Sequence, residues 1–240
     1  MNGVAIVGLA LGMRHGADPD HLAAIDGLTR IRPSVTNGVY FAIGHGLVVV
    51  LLAVGIGEFL ASRLGFIGPW SLIGIGALNL WRLLRGSFQT SATKQPIIVQ
   101  PFVLGMLLAA GFETASQLSA LILAGRTNPL ALGLAFSSGM VLVDGLDGYL
   151  AASTQRLAAA TGRTRAKAAS RALGLMVVVL AFGLGGTEIY GMDVAPVALP
   201  LGLSVFGIVA GIRIWARSGG RPKRRFGNSK AAALESRPIT

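Results

Sequence analysis

The chain has 240 residues, of which 52% are hydrophobic and only 13% are charged, and its formal net charge is +11. Soluble domains carry about 25% charged residues, and disordered chains need low hydrophobicity, so the composition excludes both classes and indicates a polytopic membrane protein. The chain contains no cysteine, which excludes disulfides, iron–sulfur clusters and thiolate metal sites. Any metal must therefore be bound by histidine, carboxylate, amide or backbone groups.

Apolar runs separated by short polar connectors predict an all-α transmembrane helical bundle of about seven spans. The predicted helices cover residues 1–28, 36–62, 67–85, 100–125, 128–155, 168–187 and 194–216. The first helix is expected to kink or open at Pro19, which lacks the amide hydrogen that would bond the carbonyl of His15. No signal peptide is expected, since the segment before Arg14 has no basic start.

Two domains follow from this division of the chain. Residues 1–216 form the predicted transmembrane domain, and residues 217–240 form a basic tail that is expected to be disordered. Most of the 21 Lys and Arg side chains lie in alternate connectors and in this tail. The bias follows the positive-inside rule and predicts a cytoplasmic C-terminus with the N-terminus outside. The charge therefore indicates topology and contact with the lipid bilayer, and not nucleic-acid binding.

Ionisable side chains are concentrated within the predicted helices, where each costs roughly 2.5–3.5 kcal/mol unless it lines a cavity, pairs or binds an ion. The densest group spans residues 14–21 and reads Arg-His-Gly-Ala-Asp-Pro-Asp-His. Helical spacing places His15 and Asp18 on one face, and Asp18 and His21 on one face, while the break at Pro19 opens backbone groups to a cavity. Imidazole and carboxylate donors suit Ni²⁺, Co²⁺, Zn²⁺ or Mn²⁺. The alternative is a cluster of helix-end charges at the water interface.

Three further polar groups lie in later predicted helices. His45 stands between two glycines in the second helix, either as a ligand or as a hydrogen-bonded structural residue. Glu113 and Gln117 share a face of the fourth helix, and Asp144 and Asp147 lie three residues apart in the fifth. Two close carboxylates need a cation, a proton or a partner, and Arg14 is the nearest candidate partner. The functional interpretation is that these polar residues support the histidine ligands or relay a cation or proton.

Four stretches in this order resemble the nickel/cobalt transporter family of bacterial secondary permeases. Residues 14–21 are similar to the family's Arg-His-Ala-Phe-Asp-Ala-Asp-His, and residues 44–46 to its Gly-His-Ser signature. Residues 111–117 resemble Gly-Phe-Asp-Thr-Ala-Thr-Glu, and residues 139–148 resemble Gly-Met-x-Leu-x-Asp-Thr-x-Asp-Gly. The resemblance covers roughly residues 10–150. The chain departs from these signatures at four positions. Glu113 stands where the family has Asp, and Gln117 where it has Glu. Gly46 replaces Ser, and Gly145 replaces Thr.

The resemblance implies a permease that moves Ni²⁺ and/or Co²⁺ across the bacterial inner membrane, with no enzymatic activity and no tightly bound cofactor. Uptake driven by the membrane potential or a proton gradient is the expected direction. The expected metal ligands are His15, Asp20 and His21, followed by Asp18 and His45. The expected supporting or relay residues are Arg14, Glu113, Gln117, Asp144 and Asp147.

Two alternatives stay open at this stage. One is an efflux transporter of the same fold. The other is a membrane metalloenzyme of the CDP-alcohol phosphotransferase type, because Asp144-x-x-Asp147-Gly148 resembles part of that metal motif, although Ala152 stands where the motif has Arg.

Overall fold

The computed structural model describes residues 3–54, 66–86, 100–111, 128–160, 164–192 and 194–218, and this part of the chain forms eight α-helices. In chain order they are α1 (Gly3–His15), α2 (Pro19–Ile31), α3 (Asn37–Ala53), α4 (Ile67–Leu84), α5 (Pro101–Gly111), α6 (Pro129–Ala159), α7 (Thr164–Ile189) and α8 (Ala195–Ser218). The all-α class predicted from the sequence is confirmed.

The first predicted helix, residues 1–28, is interrupted at Pro19 as expected, but the interruption separates two helices, which corrects the prediction of one kinked helix. α1 ends at His15, and α2 begins at Pro19 after a turn of three residues. Asp18 has an extended backbone, with φ of −65° and ψ of 149°. The reason is that the residue before proline is driven out of the helical region, while proline itself fits the first position of a new helix. The chain therefore breaks before Pro19 and restarts in a new direction.

α2 lies at the centre of the described bundle. All of its 13 residues except Arg30 are buried, and it contacts α4, α6, α7 and α8 as well as α3 and α5. Thirteen residues rise only about 20 Å, which is less than the ~30 Å hydrocarbon core. α2 is thus a short, protein-enclosed helix that carries polar side chains at membrane depth.

Glycines set the close spacing of the helices around α2. A Cβ added at Gly12 would overlap the backbone carbonyl of Phe136, and one added at Gly38 would overlap the backbone carbonyl of Asp144. The same holds between α3 and α5, where a Cβ on Gly44 would meet the carbonyl of Phe102. Small residues let membrane helices approach to backbone contact. As a result, α6 lies close enough to α1 and α3 to bring its own side chains to the histidines.

Three of the helices are long and apolar enough to cross a membrane, namely Pro129–Ala159, Thr164–Ile189 and Pro196–Ser218. Shorter apolar helices cover Gly3–His15, Asn37–Ala53 and Pro101–Ala110. This is a multi-pass membrane protein, while the count of seven spans is not reached by the described residues. α8 continues to Ser218, and residues 219–240 of the predicted tail lie outside the described part, so the two-domain division stays a prediction.

Candidate metal site

Three buried imidazoles converge where α1, α2 and α3 meet. His15 is the last residue of α1, His21 lies in the first turn of α2, and His45 lies in α3; none is exposed. One ligand nitrogen from each ring lies within 4.8 Å of the other two. His15 Nε2 and His45 Nε2 are 3.0 Å apart, and the His21 ring centre is 4.5 Å from each of the other rings. Among the described residues, these three form the group of metal-type ligands that converges in this way.

The break between α1 and α2 creates this convergence. On one straight helix His15 and His21 would point well apart, because six residues correspond to about 240° of rotation around the axis. The turn before Pro19 redirects the chain, and the two rings meet edge to face at 67°. The same local feature that departs from the predicted kinked helix therefore builds the site.

Carboxylates fix the orientation of two of the three rings. His15 Nδ1 donates to Asp18 Oδ2 at 2.8 Å, and His21 Nδ1 donates to Asp144 Oδ2 at 3.0 Å. A neutral imidazole that donates from Nδ1 carries its lone pair on Nε2, the form in which histidine binds a metal. Carboxylate–histidine pairs of this kind orient and strengthen metal ligands.

The remaining contacts of the ring nitrogens suit a cation. His21 Nε2 is buried and has no hydrogen-bond partner among the described residues. If His15 Nε2 carries a lone pair, the facing His45 Nε2 at 3.0 Å must donate a proton or share a cation with it. Bonds of about 2.0–2.1 Å from a divalent transition metal to imidazole nitrogens would space those nitrogens roughly 3 Å apart. The group can therefore hold either a hydrogen bond or a metal ion.

The other predicted site residues take different positions. Asp18 and Asp144 contact the imidazoles, as described above. Asp20 is 4% exposed, and its Oδ2 has no hydrogen-bond partner within the described ranges. It follows Pro19 in the first turn of α2, where the helix dipole favours a carboxylate. Glu113 and Gln117 lie outside the described residues.

Arg14, the candidate partner of the α6 carboxylates, is not their ion-pair partner among the described contacts. Asp144 accepts from His21, and Asp147 accepts from Arg213 Nη1 at 2.6 Å. The buried Nε of Arg14 has no hydrogen-bond partner in the described part of the chain. The α6 carboxylates therefore have other partners, because the restart at Pro19 turns His21 toward Asp144 and α8 brings a second arginine.

Arg213 is the residue that sequence reasoning missed. It is 3% exposed, and besides Asp147 it binds Asp26 Oδ1 through Nη2 at 2.9 Å. In the sequence, Arg213 belongs to the basic residues at the end of the last predicted span, four residues before Arg217. The available signal was its place within the predicted span 194–216, since an arginine inside a span normally has a carboxylate partner.

Comparison with known proteins finds similarity to nickel-transport proteins. Residues 1–65 match the NicO family model, described as "High-affinity nickel-transport protein". The chain is 32% identical over 205 residues to a high-affinity nickel transport protein of Cupriavidus necator, covering 62% of this chain and 58% of that protein. It is 31% identical over 204 residues to the nickel transporter NixA of Staphylococcus aureus, covering 62% and 60%.

A third relative matches over a shorter stretch. Over 57 residues, 22% of this chain and 16% of the relative, the chain is 46% identical to the cobalt transport protein NhlF of Rhodococcus rhodochrous. The alignments with the first two relatives cover about three fifths of their lengths. No solved structure matches the chain significantly.

Proposed function

We propose that this member of the nickel/cobalt transporter family is a secondary permease that carries Ni²⁺ and/or Co²⁺ across the bacterial inner membrane into the cytoplasm. The family resemblance predicted from four motifs is confirmed by the family match and by relatives named as nickel transporters. Those names describe transporters and not enzymes, so the metalloenzyme alternative is set aside. The direction of transport, the inner membrane and the cytoplasmic C-terminus are parts of this proposal.

The single observation that carries the proposal is the buried group of His15, His21 and His45. Its nitrogens lie within 4.8 Å of one another, and two of its rings are oriented by carboxylates. Imidazole suits borderline metals such as nickel and cobalt better than Mg²⁺ or Ca²⁺, which prefer oxygen ligands. We propose the three imidazoles as ligands of the transported ion, with Asp20 as an additional oxygen ligand. Asp18 and Asp144 then act by orienting His15 and His21.

The drive for uptake follows from charge. An inside-negative potential favours inward movement by about 2.3 kcal/mol per elementary charge per 100 mV, which is about 4.6 kcal/mol for a divalent ion. Imidazoles release a metal when they are protonated, so proton binding offers a second route to release. The proposed ligands His15 and His21 lie on either side of the break between α1 and α2, and transporters bind ions at such interruptions at membrane depth, which supports the proposal.

The test is accumulation of radioactive nickel by cells that express the chain. We expect His15→Ala and His21→Ala to reduce accumulation at least about tenfold, since each removes one of three ligands. Tyr149→Phe is the control, because Tyr149 is 56% exposed on the outside of α6. Unchanged uptake in both histidine variants would refute the ligand proposal. Lower cellular nickel on expression of the native chain would show efflux, the second direction that this fold allows.

A further inference from the structure

A second buried ionic cluster lies next to the imidazoles and has no part in the proposed ligand set. Arg213 of α8 bridges Asp26 of α2 and Asp147 of α6, at 2.9 and 2.6 Å. The three side chains are at most 4% exposed. One oxygen of each carboxylate, and Nε of the arginine, have no hydrogen-bond partner among the described residues. With all three groups charged, the cluster has a net charge of −1.

The cluster and the imidazoles form two tiers on the same pair of helices. α2 contributes His21 to the first tier and Asp26 to the second, and α6 contributes Asp144 to the first and Asp147 to the second. Five residues on α2 correspond to a rise of about 7.5 Å, so the tiers lie roughly one and a half turns apart. An ion that moved from the imidazoles toward the C-terminal end of α2 would meet the second tier next.

α8 borders a cavity near the imidazole tier and forms ion pairs at the second tier. Near its start, α8 borders a cavity of about 280 Å³ whose lining is mostly apolar and also includes Arg14 and Asp18. Asp18 is the carboxylate that binds His15, so this cavity reaches the edge of the imidazole tier. Eleven residues after Gly202, which also lines the cavity, Arg213 fastens α8 to both carboxylates. α8 packs mainly on α7, with fewer contacts to α2 and α6, so these ion pairs are its main polar attachment to the site-bearing helices.

We propose that Arg213, with Asp26 and Asp147, is the closed exit gate of the permease, so that the described state admits the ion from the cavity and shuts the cytoplasmic end. α8 is the moving element: when Arg213 leaves the two carboxylates, the path from the imidazoles to the cytoplasm opens. Arg213 is a positioning residue in this scheme and does not bind the metal. The inference rests on the proposed function for the direction of the path.

The energetics of buried ion pairs suit such a role. The attraction in a buried pair largely offsets the desolvation of its charges, so the pair adds little net stability, yet breaking it to leave a buried bare charge is costly. A cluster of this kind therefore strongly favours one arrangement of its helices over slightly displaced arrangements in which the ion pairs are broken. Opening becomes possible when water enters with the movement of α8 and solvates Arg213, Asp26 and Asp147 together.

The chain has no natural cysteine, so one introduced thiol can report which end is open. Ala151→Cys is the reporter, because Ala151 lies one turn beyond Asp147 on α6 and is fully buried. Labelling by a membrane-impermeant charged maleimide is measured in inverted vesicles and in right-side-out vesicles, without metal. We expect Arg213→Gln to raise the labelling rate about tenfold or more in inverted vesicles, which corresponds to a population shift of about 1.4 kcal/mol.

Arg217→Gln is the matched control, since Arg217 lies one turn further along α8, is exposed and binds only the Ser153 hydroxyl among the described contacts. We expect it to leave labelling unchanged. Net nickel uptake should fall at least about tenfold in Arg213→Gln, while the Kd of the purified protein for nickel stays within about threefold, because the gate holds no ligand. Equal labelling of the two variants, a rise confined to right-side-out vesicles, or loss of nickel binding would overturn the proposal.

A second variant covers the case in which Arg213→Gln does not fold. Asp26→Asn/Asp147→Asn/Arg213→Gln keeps side chains of similar shape and removes every charge, so no bare charge stays buried. It should give the same rise in labelling, and unchanged labelling would refute the gate. Because labelling is measured without metal, failure of the gate is distinguishable from failure of the ligand proposal, which appears as lost nickel binding in His15→Ala.

Discussion

Each ring nitrogen in the imidazole group has its own surroundings. His15 and His21 donate from Nδ1 to carboxylates, so their Nε2 lone pairs are directed away from those carboxylates. His45 instead meets His15 through Nε2. Asp18 and Asp144 lie beside the imidazoles, and carboxylates in an apolar bundle attract a divalent cation. The residue types were readable from the sequence, whereas the pairings needed the break at Pro19.

Removing the carboxylate that orients His21 gives a prediction at this scale. Asp144→Ala should raise the Kd for nickel about 10–100-fold, the usual effect of losing a residue that supports a metal ligand, while the three imidazoles remain. The measurement is calorimetric titration of the purified protein in detergent. Ser138→Ala on the same helix is the control, since within the described ranges its hydroxyl bonds only to its own helix, at the carbonyl of Leu134. A Kd that Asp144→Ala leaves unchanged would mean that Asp144 does not support the site.

At the scale of helices, the contact between α3 and α6 controls the site. Gly38 of α3 lies against the backbone of Asp144, and Gly148 of α6 lies against the backbone of Gly38. Any side chain at these positions must push α6 outward. Because Asp144 is the hydrogen-bond partner of His21, a packing change at Gly38 should alter the position of the His21 ring, although Gly38 itself is not one of the proposed ligands.

Gly38→Val tests this dependence. Overpacking of a close contact typically costs about 1–3 kcal/mol, so we expect a lower unfolding temperature in detergent together with weaker nickel binding. Gly74→Val in α4 is the matched control: it makes the same change in a helix where nothing lies within 4 Å of an added Cβ. If both variants lost stability equally, the loss would come from helix propensity, and the α3–α6 contact would not be the cause.

The helices themselves were largely predictable, and their ends and partners were not. Apolar runs gave α6, α7 and α8 within a few residues, because a span needs a minimum length of apolar chain. The first helix was mispredicted because proline inside an apolar pattern permits either a kink or a restart, and packing decides between them. The pairing of Asp26 with Arg213 joins residues 187 positions apart, and no local pattern specifies such a contact.

For the molecule as a whole, the proposed transport moves two positive charges across the membrane in each cycle. The potential should therefore act directly on transport. In proteoliposomes with a potassium gradient and valinomycin, an inside-negative potential should increase nickel accumulation strongly over zero potential, by up to about 4.6 kcal/mol per 100 mV at equilibrium. Accumulation that is independent of the potential but follows a pH gradient would instead indicate electroneutral exchange of one metal ion for two protons.

The enclosure of α2 also determines how the surrounding lipid can influence the site. Neighbouring helices cover all of α2 except Arg30, so acyl chains have almost no direct contact with the helix that carries His21. A thicker or thinner bilayer would first tilt the peripheral α7 and α8, which expose apolar side chains along their length. Bilayer thickness would then affect the proposed ligands only indirectly, through the packing of α8 against its neighbouring helices. It would change the transport rate before it changed the affinity for the metal.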